Sequence, residues 1–401
     1  MENSPKNGAQ TQFTKLWSEN PLRNATKELY ENQDSMKSDH QTLRPDPWKN
    51  IDDELWQDWT WQSRNRLTRF DQLQAFLELT DEEIEAFHGA TEFFRMAVTP
   101  YYASLMDQQN PSCPIRRQVM PGMGELESYP GMLMDPLDEE ANSPVPGLVH
   151  RYPDRALLYV THNCPVYCRH CTRKRKVGKA ESAPKKAQLS EAIEYIRGEP
   201  EIHDVLISGG EPLSLSDEKL DLLLEELFQI EHLDMVRIGT RNPVTLPQRI
   251  TPELCTVLKK HRPIYLNTHF NHPRECTPEA GQALQRLAAA GCILGNQMVL
   301  LKGINDDPGV VLELNRWLLR HHCRPYYILH CDLAPGVAHF RTHTDKGIAI
   351  LEALRGRLSG LGIPQYVVDL PGGGGKIPLV PEYRTSNTEE GEAFRNYLGD
   401  P

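Results

Sequence analysis

Three cysteines on one short segment are the residues of this chain whose types and spacing most directly suggest chemistry. Residues 164–171 read Cys-Pro-Val-Tyr-Cys-Arg-His-Cys, a C-x3-C-x2-C spacing that directly follows the apolar run 156–160. Three thiolates on one loop can hold three corners of a [4Fe–4S] cluster and leave its fourth iron open to a substrate or a second cofactor. The spacing alone leaves two alternatives, which are a structural zinc with His162 or His170 nearby, and plain buried thiols.

A glycine-containing segment one β–α unit later favours the cluster. Residues 208–212 read Ser-Gly-Gly-Glu-Pro and directly follow the apolar run 205–207. Glycines at the end of a strand allow a backbone edge to approach a ligand closely. Together the two motifs resemble the radical S-adenosylmethionine (SAM) superfamily. That resemblance implies a cluster that binds SAM at its open iron and cleaves it to a 5′-deoxyadenosyl radical.

A second glycine-rich segment precedes a lysine near the end of the chain. Residues 369–378 read Asp-Leu-Pro-Gly-Gly-Gly-Gly-Lys-Ile-Pro. A nucleotide-binding phosphate loop is not favoured, because Leu370 and Ile377 stand where that motif needs Gly and Ser or Thr, and Pro378 discourages the helix that must follow. Two interpretations remain open. Lys376 is either a solvated lysine on a flexible loop or a lysine that forms a Schiff base with pyridoxal phosphate.

Longer strings resemble one family within this superfamily. From about residue 138 to 381, about 60% of the chain, the sequence is similar to lysine 2,3-aminomutase and its relatives. Besides the cysteine loop, the matching strings are SPVPG at 143–147, HRYPDR at 150–155, TR at 172–173, IGTR at 238–241, NTHFNHP at 267–273, GNQ at 295–297 and GGGGK at 372–376.

The resemblance implies three cofactors and the residues that hold them. It implies that the [4Fe–4S] cluster is ligated by Cys164, Cys168 and Cys171. Pyridoxal 5′-phosphate would form an imine with Lys376, and the residues expected near its phosphate are Arg151, Tyr152 and Arg155. The residues expected around SAM are Ser208, Gly209, Gly210, Glu211, His269 and Gln297.

The resemblance also implies the reaction and the substrate. A 2,3-aminomutase moves the α-amino group of a free amino acid to the β-carbon, after the radical has removed a hydrogen atom there. Arg173 would pair with the substrate α-carboxylate. Asp332 and Asp369 would hold a distal ammonium, so the expected conversion is L-lysine to L-β-lysine. Arginine carries the same charge, whereas glutamate would meet like charges in a partly desolvated site.

Two further activities remain open at the level of the sequence. The chain could resemble the relative that modifies a lysine of a translation factor, or an RNA-modifying radical enzyme that uses the basic run 173–176. For the aminomutase we expect a one-electron reductant of the flavodoxin or ferredoxin type and at least a homodimer. Many relatives bind zinc through C-terminal cysteines. In this chain no cysteine follows Cys331, and Asp307 stands where those relatives have the barrel cysteine that completes the zinc site, so no structural zinc is expected. Leu329 and His330 also differ from the residues that the family usually has before the substrate aspartate.

These residues must be positioned by an alternating pattern of strands and helices. Apolar strands are predicted at 156–161, 203–208, 235–240, 263–268, 293–300 and 325–331. Helices are predicted at 189–197, 216–229, 251–260, 278–290, 309–321 and 343–358. This order predicts an α/β fold, a partial (β/α)6-type TIM-like barrel of the radical SAM superfamily, with a helical N-terminal extension. Six residues fall at or just beyond the carboxyl ends of these strands, where such barrels place their chemistry: Cys164, Ser208, Thr240, His269, Gln297 and Asp332.

The rest of the chain sets the domain division and excludes some functions. We expect a disordered N-terminus at 1–12, a helical region and connector at 13–137 with helices at 52–66 and 80–108, the barrel core at 138–360 and a C-terminal segment with the lysine loop at 361–401. Five of the six tryptophans lie in the first 61 residues, which indicates a packed region. A net charge of −11 argues against general nucleic-acid binding. Without an apolar stretch of membrane-spanning length or a secretion signal, and with an oxygen-sensitive cluster, the expected location is the cytoplasm.

Overall fold

The computed structural model describes residues 44–179, 183–389 and 391–398. By its contacts the chain divides into two units, of which one comprises residues 42–381. The described part of the other unit is a hairpin in which Arg384–Thr388 pairs with Gly391–Phe394. The disorder expected at 1–12 lies outside the described residues. No helix in the described part is long and apolar enough to cross a membrane.

Short helices occupy the region before the sheet: α1 Asp53–Gln57, α2 Trp59–Arg64, α3 Phe70–Gln74, α4 Asp81–Phe93, α5 Pro100–Ser104 and α6 Pro114–Val119. The start of α4 is as expected, because Thr80 and Glu83 form a reciprocal capping box. The single helix expected over 80–108 is wrong. α4 ends at Phe93, and Val98 pairs with Leu67 in a β-bridge. The helical conformation is also disfavoured for the residue before Pro100, where α5 begins.

A nine-stranded sheet forms the centre of the 42–381 unit, with strand order β1 to β9. The strands are β1 Leu148–Tyr152, β2 Arg155–Thr161, β3 Asp204–Gly209, β4 Met235–Gly239, β5 Ile264–Thr268, β6 Ile293–Leu300, β7 Cys323–His330, β8 Gln365–Leu370 and β9 Gly375–Leu379. Strands β2 to β8 are mutually parallel, and β1 and β9 pair antiparallel at the two edges. The α/β fold and all six expected strands are confirmed. A seventh parallel strand, β8, was missed, and the domain boundary expected at 360 therefore falls inside this sheet.

Helices connect the parallel strands: α7 Lys186–Gly198, α8 Asp217–Phe228, α9 Asn242–Thr245, α10 Pro252–Lys260, α11 Pro278–Ala289, α12 Pro308–Arg320 and α13 Thr344–Leu354. The side chains of Ser216, Thr251 and Thr277 cap α8, α10 and α11. Asp307 caps α12 by accepting from the Gly309 N–H at 2.8 Å. This contact explains an aspartate at that position, and the absence of a structural zinc stays a prediction.

The N-terminal region packs on the same core as the sheet. Trp48 and Trp56 are buried in the cluster that contains the strand side chains. The hydroxyl of Thr99 donates to the Thr245 carbonyl at 2.7 Å, and that of Tyr102 to the Glu275 carboxylate at 2.6 Å. These buried contacts hold α5 against segments that follow β4 and β5, so the region packs against the end of the sheet that carries the candidate site.

Candidate active site

A cavity of about 540 Å³ opens at the carboxyl ends of the parallel strands. Every candidate residue named from the sequence contributes to its wall, although those residues come from segments more than 200 positions apart. They are Arg151, Tyr152, Arg155, Cys164, Cys168, Cys171, Arg173, Ser208, Gly209, Gly210, Glu211, His269, Gln297, Asp332, Asp369 and Lys376. The fold therefore brings the cysteine loop, the glycine–glutamate segment and the lysine loop to one site.

The cysteine loop leaves β2 and is fixed from several sides. Arg66 donates to the Cys164 carbonyl at 2.6 Å. Arg169, which is fully buried within the loop, pairs with Glu125 through Nε at 2.7 Å and Nη2 at 2.6 Å. Both arginines anchor the loop, so the three thiols are held on one rigid support at the cavity.

The three thiols have the donor chemistry of a cluster site. Burial and neighbouring cysteines raise the pKa of Cys164 and bring the pKa of Cys171 to about 11, so these thiols need a metal's charge to ionise. Each of the three thiolates could ligate one iron of a [4Fe–4S] cluster.

Arg241 approaches the cysteines from the end of β4. Its Nη1 donates to Cys168 Sγ at 2.6 Å, and its Nη2 bonds Gln118 at 2.6 Å and Glu275 at 2.8 Å. The sequence analysis assigned this arginine no role. Its position directly after a strand, within the matching string 238–241, was the available signal.

Gly209 and Gly210 serve close packing of the backbone. Gly209 has a φ of +116°, and a Cβ there would lie 2.4 Å from the Thr161 carbonyl oxygen. A Cβ at Gly210 would lie 2.4 Å from the Asn163 carbonyl oxygen. The Gly210 N–H donates to Thr161 O at 2.6 Å. The two glycines thus join the end of β3 to the segment that leads into the cysteine loop, which is a structural reason beyond the expected approach of a ligand.

The carboxylate of Glu211 is buried beneath this junction. It accepts from the Thr240 hydroxyl at 2.5 Å and from the Arg241 N–H at 2.7 Å. Burial raises its pKa to about 7 despite these hydrogen bonds. Glu211 therefore ties β3 to the residues after β4.

His269 packs against a second histidine, His170, which the sequence analysis considered only as a possible zinc ligand. Its ring stacks on His170 with centroids 5.4 Å apart, and the two Nε2 atoms are 3.2 Å apart. Asn271 Nδ2 lies 3.2 Å from the same atom of His269. Burial and the charge of Arg241 lower the pKa of both histidines, so the pair is neutral near pH 7.

The lysine loop is the turn of the β8–β9 hairpin. Lys376 lies directly opposite Asp369 in the strand register, and the two side chains form an ion pair. Gly372 and Gly373 have φ values of +67° and +76°, which only glycine adopts readily, and this allows the tight return. Lys376 therefore sits on a strand, with its side chain 34% exposed at the cavity.

Two arginines enclose the ring of Tyr152. The guanidinium carbons of Arg151 and Arg155 lie 4.8 Å and 4.6 Å from the ring centroid. The Tyr152 hydroxyl accepts from Arg151 Nη2 at 3.0 Å and from the Lys376 N–H at 3.1 Å. Two guanidiniums beside a lysine and a turn of glycines have the donor chemistry to hold a phosphate-bearing aldehyde cofactor.

Arg173 is already paired with an acid that the sequence analysis missed. Its Nε and Nη2 both lie 2.9 Å from Oε1 of Glu139. Burial opposes ionisation of Glu139, but Arg173, Tyr159 and Arg175 together outweigh it and lower the pKa of that carboxyl to about 2. Glu139 lies in the irregular segment just before β1, where no periodic pattern marks a functional position.

Asp332 follows β7 and faces the same cavity as Asp369. Burial, followed by the charge of Asp369, raises the pKa of Asp332 to about 7. Asp369 itself accepts from Arg151 Nη2 at 3.2 Å. Behind Asp332, His330 accepts from Arg341 Nη2 at 3.1 Å through its Nε2. This end of the cavity thus offers one paired carboxylate and one carboxyl that a cation would stabilise.

Comparison with known proteins gives a consistent result. A family model described as Lysine-2,3-aminomutase matches residues 351–400, and one described as Radical SAM superfamily matches residues 158–314. An L-lysine 2,3-aminomutase of Fusobacterium nucleatum is 51% identical over 87% of this chain and 82% of its own length. One of Clostridium subterminale is 49% identical over 88% and 85%. A glutamate 2,3-aminomutase of Clostridioides difficile is 45% identical over 87% and 83%.

Proposed function

This chain belongs to the lysine 2,3-aminomutase family within the radical SAM superfamily, and we propose that it is an isomerase that converts L-lysine to L-β-lysine. One observation carries the choice of reaction: a single cavity is lined by three cysteines of one loop, by a lysine on a glycine hairpin and by the carboxyl groups of Asp332 and Asp369. The first two features serve cofactors, and the carboxylates serve a cationic substrate.

The cofactors of this proposal are a [4Fe–4S] cluster on Cys164, Cys168 and Cys171, SAM, and pyridoxal 5′-phosphate on Lys376. SAM cleaved at the reduced cluster supplies the radical that removes a hydrogen atom, and pyridoxal phosphate supplies the covalent hold on the amino group and a ring that spreads the unpaired electron. The electron comes from a reductant of the flavodoxin or ferredoxin type. Assembly as a homodimer or larger oligomer belongs to the same proposal.

The chain's own residues bind and orient. Around SAM we place Ser208, Gly209, Gly210, Glu211, His269 and Gln297. Around the phosphate of pyridoxal phosphate we place Arg151, Tyr152 and Arg155. Arg173 holds the α-carboxylate, and Asp332 and Asp369 hold the distal ammonium, so the β-carbon is fixed between two anchored ends.

The charge of the distal pocket supports lysine over glutamate. A glutamate side chain would bring a third carboxylate to Asp332 and Asp369, and burial makes like-charge contacts costly. The family alone does not decide this point, because a glutamate 2,3-aminomutase is 45% identical to the chain. Arginine shares the charge of lysine but not its shape, and it is the alternative cation.

The proposal is tested by incubating reduced, reconstituted enzyme and SAM with lysine, arginine or glutamate in parallel. We expect β-lysine to form fastest, as measured by chromatography of the derivatised products. Faster conversion of glutamate would overturn the substrate assignment while leaving the reaction type intact. Failure to convert any amino acid would overturn the reaction type.

We expect the affinity for lysine to depend on the ionisation of Asp332. A distal ammonium binds the ionised carboxylate, and the pKa of that carboxyl is about 7 in the free cavity. Below about pH 7 the Asp332 carboxyl must lose its proton before it can bind the ammonium, so the dissociation constant of lysine should rise about tenfold for each unit by which the pH falls. Above that pH the dissociation constant should stay constant. Norleucine, which lacks the ammonium, controls for titration of the α-amine. The lysine-to-norleucine ratio should depend on pH in wild-type enzyme and not in Asp332→Asn.

A further inference from the structure

Glu139 lies in the cavity wall with its carboxylate against the guanidinium of Arg173. Oε1 accepts from Nε of Arg173 at 2.9 Å, and Nη2 of the same guanidinium lies 2.9 Å from Oε1 in an ion pair. The side chain of Glu139 is 4% exposed, whereas that of its neighbour Glu140 is 66% exposed. A charge buried this deeply needs complete pairing, so its geometry is tightly determined.

Tyr159 contacts the same edge of the Arg173 guanidinium as Glu139 does. Arg173 Nε also donates to the Tyr159 hydroxyl at 3.2 Å. The Arg173 guanidinium carbon lies 5.4 Å from the centre of the Tyr159 ring. The inner edge of the guanidinium is therefore occupied. Its Nη1 has no partner among the described residues, and Arg173 lines the cavity.

We propose that Glu139 is a positioning residue that holds Arg173 by its inner edge and turns the outer end of the guanidinium toward the substrate α-carboxylate. This inference rests on the proposed function, in which Arg173 binds that carboxylate. The Glu139 carboxylate and the substrate α-carboxylate then bind different edges of the planar Arg173 guanidinium. Arginine is suited to this arrangement because its donors lie in a fixed plane, whereas the ammonium of a lysine has no such edges.

The charge of Glu139 could instead repel the substrate. Arg175 opposes that effect, because its Nη2 donates to Oε2 of Glu139 at 3.0 Å. Two guanidiniums therefore pair with the Glu139 carboxylate, and its repulsion of a substrate carboxylate in the cavity is reduced. We expect the loss of orientation to outweigh the loss of repulsion when Glu139 is neutralised.

The test compares Glu139→Gln with the matched control Glu140→Gln, both as holoenzyme. The probes are lysine and 1,5-diaminopentane, which is lysine without its carboxylate, and binding is followed by the absorbance of bound pyridoxal phosphate. In Glu139→Gln the dissociation constant of lysine should rise about 10- to 100-fold, as for one lost hydrogen bond to a charged group. That of the diamine should change by less than about threefold. Glu140→Gln should bind both as wild type does, and iron and cofactor contents should match throughout.

The outcomes separate the possible roles of Glu139. Equal weakening of lysine and diamine in Glu139→Gln would show a general structural role, and tighter lysine binding would show repulsion; either result overturns the inference. If that variant does not fold, Tyr159→Phe removes the second contact to Nε and should shift the lysine-to-diamine ratio in the same direction, and an unchanged ratio overturns the inference. Failure of the proposed function would appear in the wild-type enzyme, as an inability to convert any amino acid, whereas failure of this inference appears only in the variants.

Discussion

Replacing Cys168 by alanine should leave the enzyme without a functional iron–sulfur cluster and reduce SAM cleavage to the background of cluster-free protein. Wild-type protein purified without oxygen should be brown and contain about four irons per chain, as the three-thiolate site implies. Without the Cys168 thiolate a second iron of the cluster lacks a protein ligand, so the iron that should bind SAM is no longer the single open one. Iron is measured by colorimetric assay, and 5′-deoxyadenosine by chromatography after reduction.

The matched control is Cys255→Ala. Cys255 is a partly buried cysteine of α10 that does not line the cavity. This variant should retain the iron and the cleavage of wild-type enzyme. SAM cleavage at the wild-type rate in Cys168→Ala would refute the assignment of the cluster to this loop, whatever its iron content.

Lys376→Ala should abolish the covalent attachment of pyridoxal phosphate and lower turnover by at least about 10³-fold, in the range seen when a covalent catalytic residue is removed. Borohydride should fix the cofactor to wild-type protein, and the labelled peptide should contain the four glycines. The variant should fold, because Asp369 keeps its contact with Arg151 at 3.2 Å when Lys376 is lost. An unchanged melting temperature of the cofactor-free protein would verify this.

Lys302→Ala is the control for the lysine assignment. Lys302 is exposed and does not line the cavity, so its loss should change neither labelling nor turnover. Recovery of the borohydride label on any lysine other than Lys376 would contradict the role given to the β8–β9 hairpin.

The helical region before the sheet contributes hydrogen-bonding side chains to the surroundings of the cysteine loop. Gln118 and Glu275 both accept from Arg241, and Tyr102 hydrogen bonds the same Glu275. Glu275 is completely buried and accepts in addition from the Asn271 N–H at 2.6 Å. The helices before the sheet thus help to position a cation against Cys168, although none of their residues was named as a candidate.

Local pattern was enough to predict much of the fold and most of the candidate site. The C-x3-C-x2-C spacing lies within one loop, and each of the six predicted strands is a short segment that contains several apolar residues, so both signals come from neighbouring residues. The parallel order of the strands places their carboxyl ends at one edge, and this is why residues as distant as Cys164 and Asp332 could be assigned to one site. The family resemblance supplied the roles of individual residues, which spacing alone left open.

Only the tertiary structure decided which charges face each other. Glu139 and Arg173 are 34 positions apart in the chain, and the pairing of Arg241 with Cys168 crosses two strands, so no local periodicity records either contact. The tight approach of Gly209 to the Thr161 carbonyl explains a glycine that the sequence assigned to a ligand. Strand β8 was missed although its apolar run at 366–368 is as long as the run at 205–207 in β3, and its place in the sheet became evident only from its pairing with β7 and β9. The sequence by itself supplied the candidates for the chemistry, through the spacing of the cysteines and the resemblance of longer strings to one family. The orientation and ionisation of those residues depend on burial and on partners that only folding brings together.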